Sequence, residues 1–218
     1  MQDALQKLNE LAAEHERQGR RLYEACAEEL FPCDALAFAV LERSLNLLKG
    51  FRVLLENGGY TIGAGVLRMQ LDNVMRFHGV AASGDPHGVA NLMANGVQLR
   101  KIKDSSGKRM EDTRLLGLLE VRNPDIRKVY DLSSGYIHLS QNHINHFLLR
   151  SAKNDADGTR IFAIGDDDSL MDLQSKLKLV QAFAAITRGV VSTIGLWVES
   201  RTNCGSSSDL RKRFLHTV

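Results

Sequence analysis

The residues of this 218-residue chain that could do chemistry crowd into one stretch, 127–146, RKVYDLSSGYIHLSQNHINH. Three of the seven histidines, His138, His143 and His146, fall within nine positions there, beside Tyr130, Tyr136, Ser133, Ser134 and Ser140. Imidazole titrates near neutral pH, so it can serve as acid, base, metal ligand or hydrogen-bonding group. As an H-x4-H-x2-H array, the histidines could bind zinc or iron if a carboxylate joined them, with Asp131 or the run Asp166, Asp167 and Asp168 as candidates. The plainer expectation is a set of hydrogen-bonded histidines where a helix meets a hairpin. The missing fourth ligand and the scattered cysteines argue against a metal needed for folding, and no cofactor is expected. A nucleophile–base pair is conceivable among Tyr130, Ser133, Ser134, Tyr136 and His138, but no glycine-flanked nucleophile elbow is present. Nor is there a P-loop, or a GxGxxG following a strand.

A second polar pattern lies upstream. In the helix beginning near Thr61, with Ile62 set at 0° and each residue stepping 100°, Arg68, Asp72 and Arg76 fall at about 240°, 280° and 320°. Val66, Leu67, Met69, Leu71, Val74, Met75 and Phe77 fill most of the remaining circle. A charged ladder at i, i+4, i+8 on such a helix is either a solvated stripe of weak ion pairs or a partly buried network. In the second case it is expected to meet the tyrosine and histidine cluster, with His138 within hydrogen-bond reach of the stripe or of a tyrosine.

The elements that must position these groups read almost entirely as helix. Apolar residues return at helical spacing from Asp3 to about Leu30, and again over 35–57. Pro32 is expected to stop the first helix and Asp34 to cap the next. Gly58 and Gly59 end the second helix and Thr61 opens the third, through about His78. Asp85 and Pro86 form a cap-and-proline start for a short helix. Residues 101–111 are a charged loop and the expected proteolytic site. Helices are expected over 111–121 and from Asn123–Pro124 to Gly135. Two apolar runs around Asn154–Gly158 predict a β-hairpin at about 144–164. The acidic run before Ser169 is expected to open the last helix, 169–201. Its segment LVQAFAAITRGVVSTIGLWV is apolar nearly all round, with Arg188 its single charge. A core helix, a core helix that also forms a dimer interface, and a membrane span are the three readings; the polar residues mid-segment disfavour the span. Leu179, Phe183, Ile186, Val190, Ile194 and Trp197 are the expected core.

Composition sets the broad class. Hydrophobic content of 44% and charged content of 25% are ordinary for a globular domain. A net charge of +2 offers little field to draw in a nucleic-acid backbone. Arginine outnumbers lysine 18 to 10, a bias toward planar ion pairs. Three cysteines, Cys26, Cys33 and Cys204, form no framework and suit a reducing cytoplasm, and the polar N-terminus is unlike a secretory signal.

The segments LERSLNLLKGFRVLLENGGYTIGAGVLRMQLDNVMRF and VYDLSSGYIHLS resemble an uncharacterised bacterial helical group, DUF5677-like, that pairs an R-x3-E/D helix with a Y-x2-S-x2-Y-x-H-x-S segment. The shared positions are Arg68 and Asp72, then Tyr130, Ser133, Tyr136, His138 and Ser140. The architecture resembles the HEPN class, which implies a helical, often dimeric protein, and in many members an RNA-cutting activity in defence systems. The ribonuclease motif of that class is an arginine, four to six residues, then a histidine. Only Arg211 and His216 meet it, in the tail, where 18 arginines and seven histidines make a chance match unremarkable.

The chain is therefore expected to be an all-α, multi-helix bundle with one small hairpin and a long C-terminal core helix. Residues 1–201 form one domain and 202–218 a mobile tail. The expected function is a HEPN-like binding or regulatory role in bacterial defence or stress, in a cytoplasmic homodimer with no membrane partner. The expected ligand is RNA or a small molecule. The first alternative is a metal-independent nuclease with His138, Arg68 and Arg76 as catalytic groups and Asp72, Tyr130, Ser133, Tyr136, Ser140 and His143 as binding groups. The second is a metal-dependent enzyme at His138, His143 and His146.

Overall fold

Alternating apolar and charged helical faces give eight α-helices among the described residues. The structure, a computed structural model, describes residues 2–26, 29–121, 123–151, 168 and 171–202. The helices are α1 (Gln2–Cys26), α2 (Pro32–Glu56), α3 (Tyr60–Ala81), α4 (Pro86–Ala94), α5 (Asp112–Glu120), α6 (Ile126–Ser134), α7 (Gln141–Ser151) and α8 (Leu173–Thr202). A bundle of α1, α2, α3 and α8 holds the core, and α4, α5 and α6 pack on its flank. Phe51 and Phe183 stack at 3.9 Å between α2 and α8, and Phe77 meets the edge of Trp197 at 6.3 Å.

Several sequence expectations are corrected. Residues 144–151, assigned to the first strand of a hairpin, are helical in α7. Its sequence QNHINHFLLRS contains no glycine or proline to interrupt the helix. The rest of that hairpin, 152–164, lies outside the described residues, as does the tail 203–218, and no strand occurs among the described residues. Pro32 opens α2 at its first position, where its missing N–H costs nothing, and Phe31 rather than Asp34 is the N-cap. Asp34 sits inside the first turn, where one carboxylate oxygen accepts from the Phe31 amide at 3.0 Å. The other oxygen takes the Trp197 indole at 2.8 Å and lies 3.2 Å from Arg201 Nε, so a fully buried carboxylate ties the end of α8 to the start of α2. Asp168 caps α3 rather than α8, accepting from the Thr61 amide at 2.5 Å and the Thr61 hydroxyl at 2.8 Å. Asp172 serves α8 instead, through the Ser175 amide at 2.9 Å.

The 101–111 loop is more ordered than its charge implies. Asp104 accepts from Ser106, Lys108 and Arg114, while Ile102 and Met110 are buried beneath it. Burial alone would raise the Asp104 carboxyl, but hydrogen bonds from Ser106, Arg114 and two backbone amides outweigh it and hold the pKa at about 2.

Helix α8 is long and apolar enough to cross a membrane by length and composition, and 56% of its most apolar window is buried in the bundle. The face that was read as missing exists. Gln181, Ala185, Arg188, Ser192 and Glu199 are its exposed positions through the apolar stretch. They fall within about 60° of one another at 100° per residue. Phe183, Ile186, Val190, Ile194 and Trp197 are buried, and Leu179 is half-buried. One chain therefore covers this helix, and its remaining stripe is small and polar.

Candidate functional site

The Arg–Asp–Arg ladder of α3 is a partly buried network. Asp72 accepts from Arg76 Nε at 2.7 Å and lies 3.9 Å from Arg68. Asp112, the first residue of α5, takes Arg68 at 3.1 Å on one oxygen and faces Arg76 at 3.5 Å on the other. Gly79 permits this approach of α5 to α3, since a Cβ there would lie 2.3 Å from a Leu115 methyl. Helix α6 supplies Tyr130, whose ring lies beneath the Arg68 guanidinium at 4.3 Å and whose hydroxyl donates to Asp112 at 3.1 Å. Ser134, one turn on, accepts from Arg68 Nε at 3.2 Å. With its side chain only 12% exposed, Arg68 is held by an aspartate, a serine and an aromatic face, and acts as the keystone of α3, α5 and α6.

Arg43 of α2 completes the ring. It lies 3.5 Å from Asp72 and bonds to Asn73, both through the same guanidinium nitrogen. Its other N–H groups have no hydrogen-bond partner among the described residues, and its side chain is 43% exposed. Arg43, Arg68, Asp72, Asp112, Tyr130 and Ser134 line a pocket of about 410 Å³ together with Met69, Ile137 and His138. Through Asp112 it adjoins a second, more polar groove of about 630 Å³ lined by Arg76, Gln98, Arg100 and Glu111. In the central network three arginines face two aspartates, which leaves one positive charge at an open, arginine-lined surface.

Behind Arg43 a directional hydrogen-bond chain runs into the core. Asn73 donates to Gln70 at 3.0 Å, and Gln70 donates to Ser44 at 2.6 Å and to Thr187 at 3.0 Å. His15 Nδ1 lies 2.6 Å from the Leu11 carbonyl, which can only accept, so Nδ1 carries the proton. Nε2 then accepts from Ser44 at 2.7 Å. Burial lowers the pKa of His15, partly offset by the Leu11 hydrogen bond. The neutral ring is the form this chain accommodates.

The structure places the sequence candidates in different roles. Arg68, Asp72, Tyr130 and His138 share the polar pocket, with Arg76 beside it. His138 is exposed at the rim and makes no hydrogen bond among the described residues, although it shares the pocket with the stripe. Ser133 is buried and donates to the Val129 carbonyl at 2.6 Å, away from the arginines. Ser140 and His143 cap α7: the Ser140 hydroxyl accepts from the Asn142 amide at 3.2 Å, and His143 Nδ1 accepts from the Ser140 amide at 3.3 Å. Tyr136 meets His143 edge-on at 5.8 Å. The His146 side chain lies outside the described residues. No group of three histidine, cysteine, aspartate or glutamate residues gathers as a metal site among the described residues.

Arg43 and Asp112 were missed as site residues, and Ser134, considered as a nucleophile, instead accepts from Arg68. Arg43 and Asp112 come from helices 29 and 44 positions away from their partners on α3, and no local spacing signals that. Gln70 and Asn73 did carry a signal, being amides on the apolar side of α3. No family model, curated protein or solved structure matches this chain.

Proposed function

We propose that this chain is a HEPN-like helical domain with a binding or regulatory role in bacterial defence or stress, and that its arginine pocket recognises a phosphate on RNA or on a small nucleotide. The observation that carries this reading is Arg43. It is half-exposed at the pocket, one guanidinium nitrogen fixed by Asp72 and Asn73 and the others open, while Arg68 and Arg76 are paired with Asp72 and Asp112 behind it and the network keeps one net positive charge. A guanidinium held in this way is pre-organised for a phosphate fork. The small net charge of the chain favours a short-range contact with one phosphate over tracking along a duplex.

The test is a titration of a fluorescent single-stranded RNA dodecamer and of adenosine monophosphate at low salt. The wild type is expected to bind at least one of them. Arg43→Ala is expected to weaken binding about tenfold, equivalent to about 1.4 kcal/mol, with an unchanged melting temperature. No binding of either probe, or equal binding by Arg43→Ala, overturns the reading.

One observation favours a second reading, the metal-independent nuclease. The exposed His138 ring is free of hydrogen bonds to the described residues, beside arginines that could hold a phosphate. Cleavage of the same RNA by the wild type but not by His138→Ala, with binding retained, is the outcome that supports it. Intact RNA with both proteins removes it.

A further inference from the structure

Helix α6 has two working faces. Tyr130 and Ser134 face the arginines, whereas Val129, Leu132 and Ser133 line a separate chamber of about 350 Å³ between α6, α3 and α8. That size falls within the roughly 300–1,000 Å³ of small-molecule sites. Tyr60, Ala64 and Leu67 form the α3 wall, and Leu179 and Ala182 the α8 wall. Ala64 and Ala182, one on each of these walls, leave space that larger side chains would fill.

The polar side chains of this chamber are Tyr60, Ser133, Tyr136, Ser175 and Lys178, and the two serines are already hydrogen-bonded. Ser133 donates to the Val129 carbonyl, and Ser175 donates to Asp172 at 2.6 Å. Lys178 is the one charged lining residue, and it makes no ion pair among the described residues. Lys176 adds a second amine at the same end, 4.7 Å over the Tyr60 ring. The nearest acidic residues in sequence, Asp168 and Asp172, do not line the chamber and bond Thr61 and Ser175. The chamber wall is therefore mainly apolar, with the Lys178 amine as its one charged group.

We infer that this chamber binds a small amphipathic monoanion, with a short alkyl chain between Leu67, Val129 and Leu179 and its carboxylate at Lys178. The Lys178 amine, which makes no ion pair among the described residues, favours an anionic head group over a neutral one, because a charge-assisted bond is the stronger. An alkyl cation would meet the two lysines. The inference stands apart from the phosphate reading, because α6 separates the two sites and they share no lining residue.

Calorimetry on the full chain tests it with octanoate, octylammonium and acetate as probes. Octanoate is expected to bind one per chain, and octylammonium and acetate to give no saturable heat. Lys178→Met is expected to weaken octanoate at least tenfold, and Ala182→Phe, which fills the chamber, to abolish it. The site is also read in the wild type by methyl NMR: octanoate is expected to shift Leu67, Val129 and Leu179 and to leave Leu22 and Leu48 in place. No octanoate binding, equal binding of octanoate and octylammonium, or methyl shifts confined to other residues each overturns the inference. So does undiminished binding by a folded Ala182→Phe.

Discussion

The Arg68 guanidinium lies 4.3 Å over the Tyr130 ring, and both side chains bond the same carboxylate oxygen of Asp112. A planar cation stacked on an aromatic face, with one donor on a carboxylate and another on a serine hydroxyl, loses little entropy per bond made. This triangle ties α3, α5 and α6 together and sets the floor of the polar pocket.

Arg68→Lys should therefore not behave as a conservative change. A lysine keeps the charge but loses the stack and the second donor. The expected cost is about 1–3 kcal/mol of stability, measured by urea denaturation. A double-mutant cycle with Tyr130→Leu should show coupling between the two positions. Additive effects would mean that the stack contributes nothing.

Asp34 should be the most sensitive acidic residue. It is fully buried, and its oxygens satisfy the Phe31 amide and the Trp197 indole beside Arg201. Asp34→Ala leaves a largely buried guanidinium and an indole N–H without that partner. A loss of about 3–5 kcal/mol is expected, as for other broken buried pairs. A melting temperature within a degree or two of wild type would show that the carboxylate is dispensable.

Much of the helical framework was legible in the sequence, because apolar periodicity reports directly on which face is buried. Five of the six α8 residues expected in the core are buried, and Asp85 caps α4 through the Gly88 amide as its spacing implied. Tertiary partners were not legible. Asp34 and Asp168 read as local caps, yet they bind Trp197 and Thr61, 163 and 107 positions away. Half of the polar pocket was visible for the same reason. The ladder at 68, 72 and 76 is periodic, whereas Arg43 and Asp112 reach it only through the packing of α2 and α5 on α3.

Acid should weaken the fold near neutrality through His15. The unfolded ring titrates near its ordinary value of about 6.5, and the folded ring lower, because burial disfavours its charged form. Below that ordinary value the unfolded chain binds more protons. This contribution is thus fully present above about pH 6.5 and is lost as pH falls through the folded value. His87, also lowered first by burial, acts in the same direction. Urea midpoints are expected to drop between pH 7.5 and 5.5, and His15→Gln should be less stable at pH 7.5 yet show a shallower pH slope. Identical slopes would clear His15 of the effect.

The exposed stripe of α8 makes the sharpest packing prediction. Val190 is 1% exposed, and Ser192, two residues on, faces solvent. An aspartate at 190 would be forced into apolar surroundings against α3, whereas one at 192 would point into water. Val190→Asp is expected to cost several kcal/mol, and Ser192→Asp to stay within about 0.5 kcal/mol of wild type. The same pair of variants addresses assembly. The large apolar side chains of this helix lie mostly inside its own chain and Ser192 lies on the exposed stripe, so Ser192→Asp should leave the mass in light scattering unchanged. If Ser192→Asp proves as damaging as Val190→Asp, or halves the scattering mass, then the polar stripe is an interface between copies rather than a solvated surface.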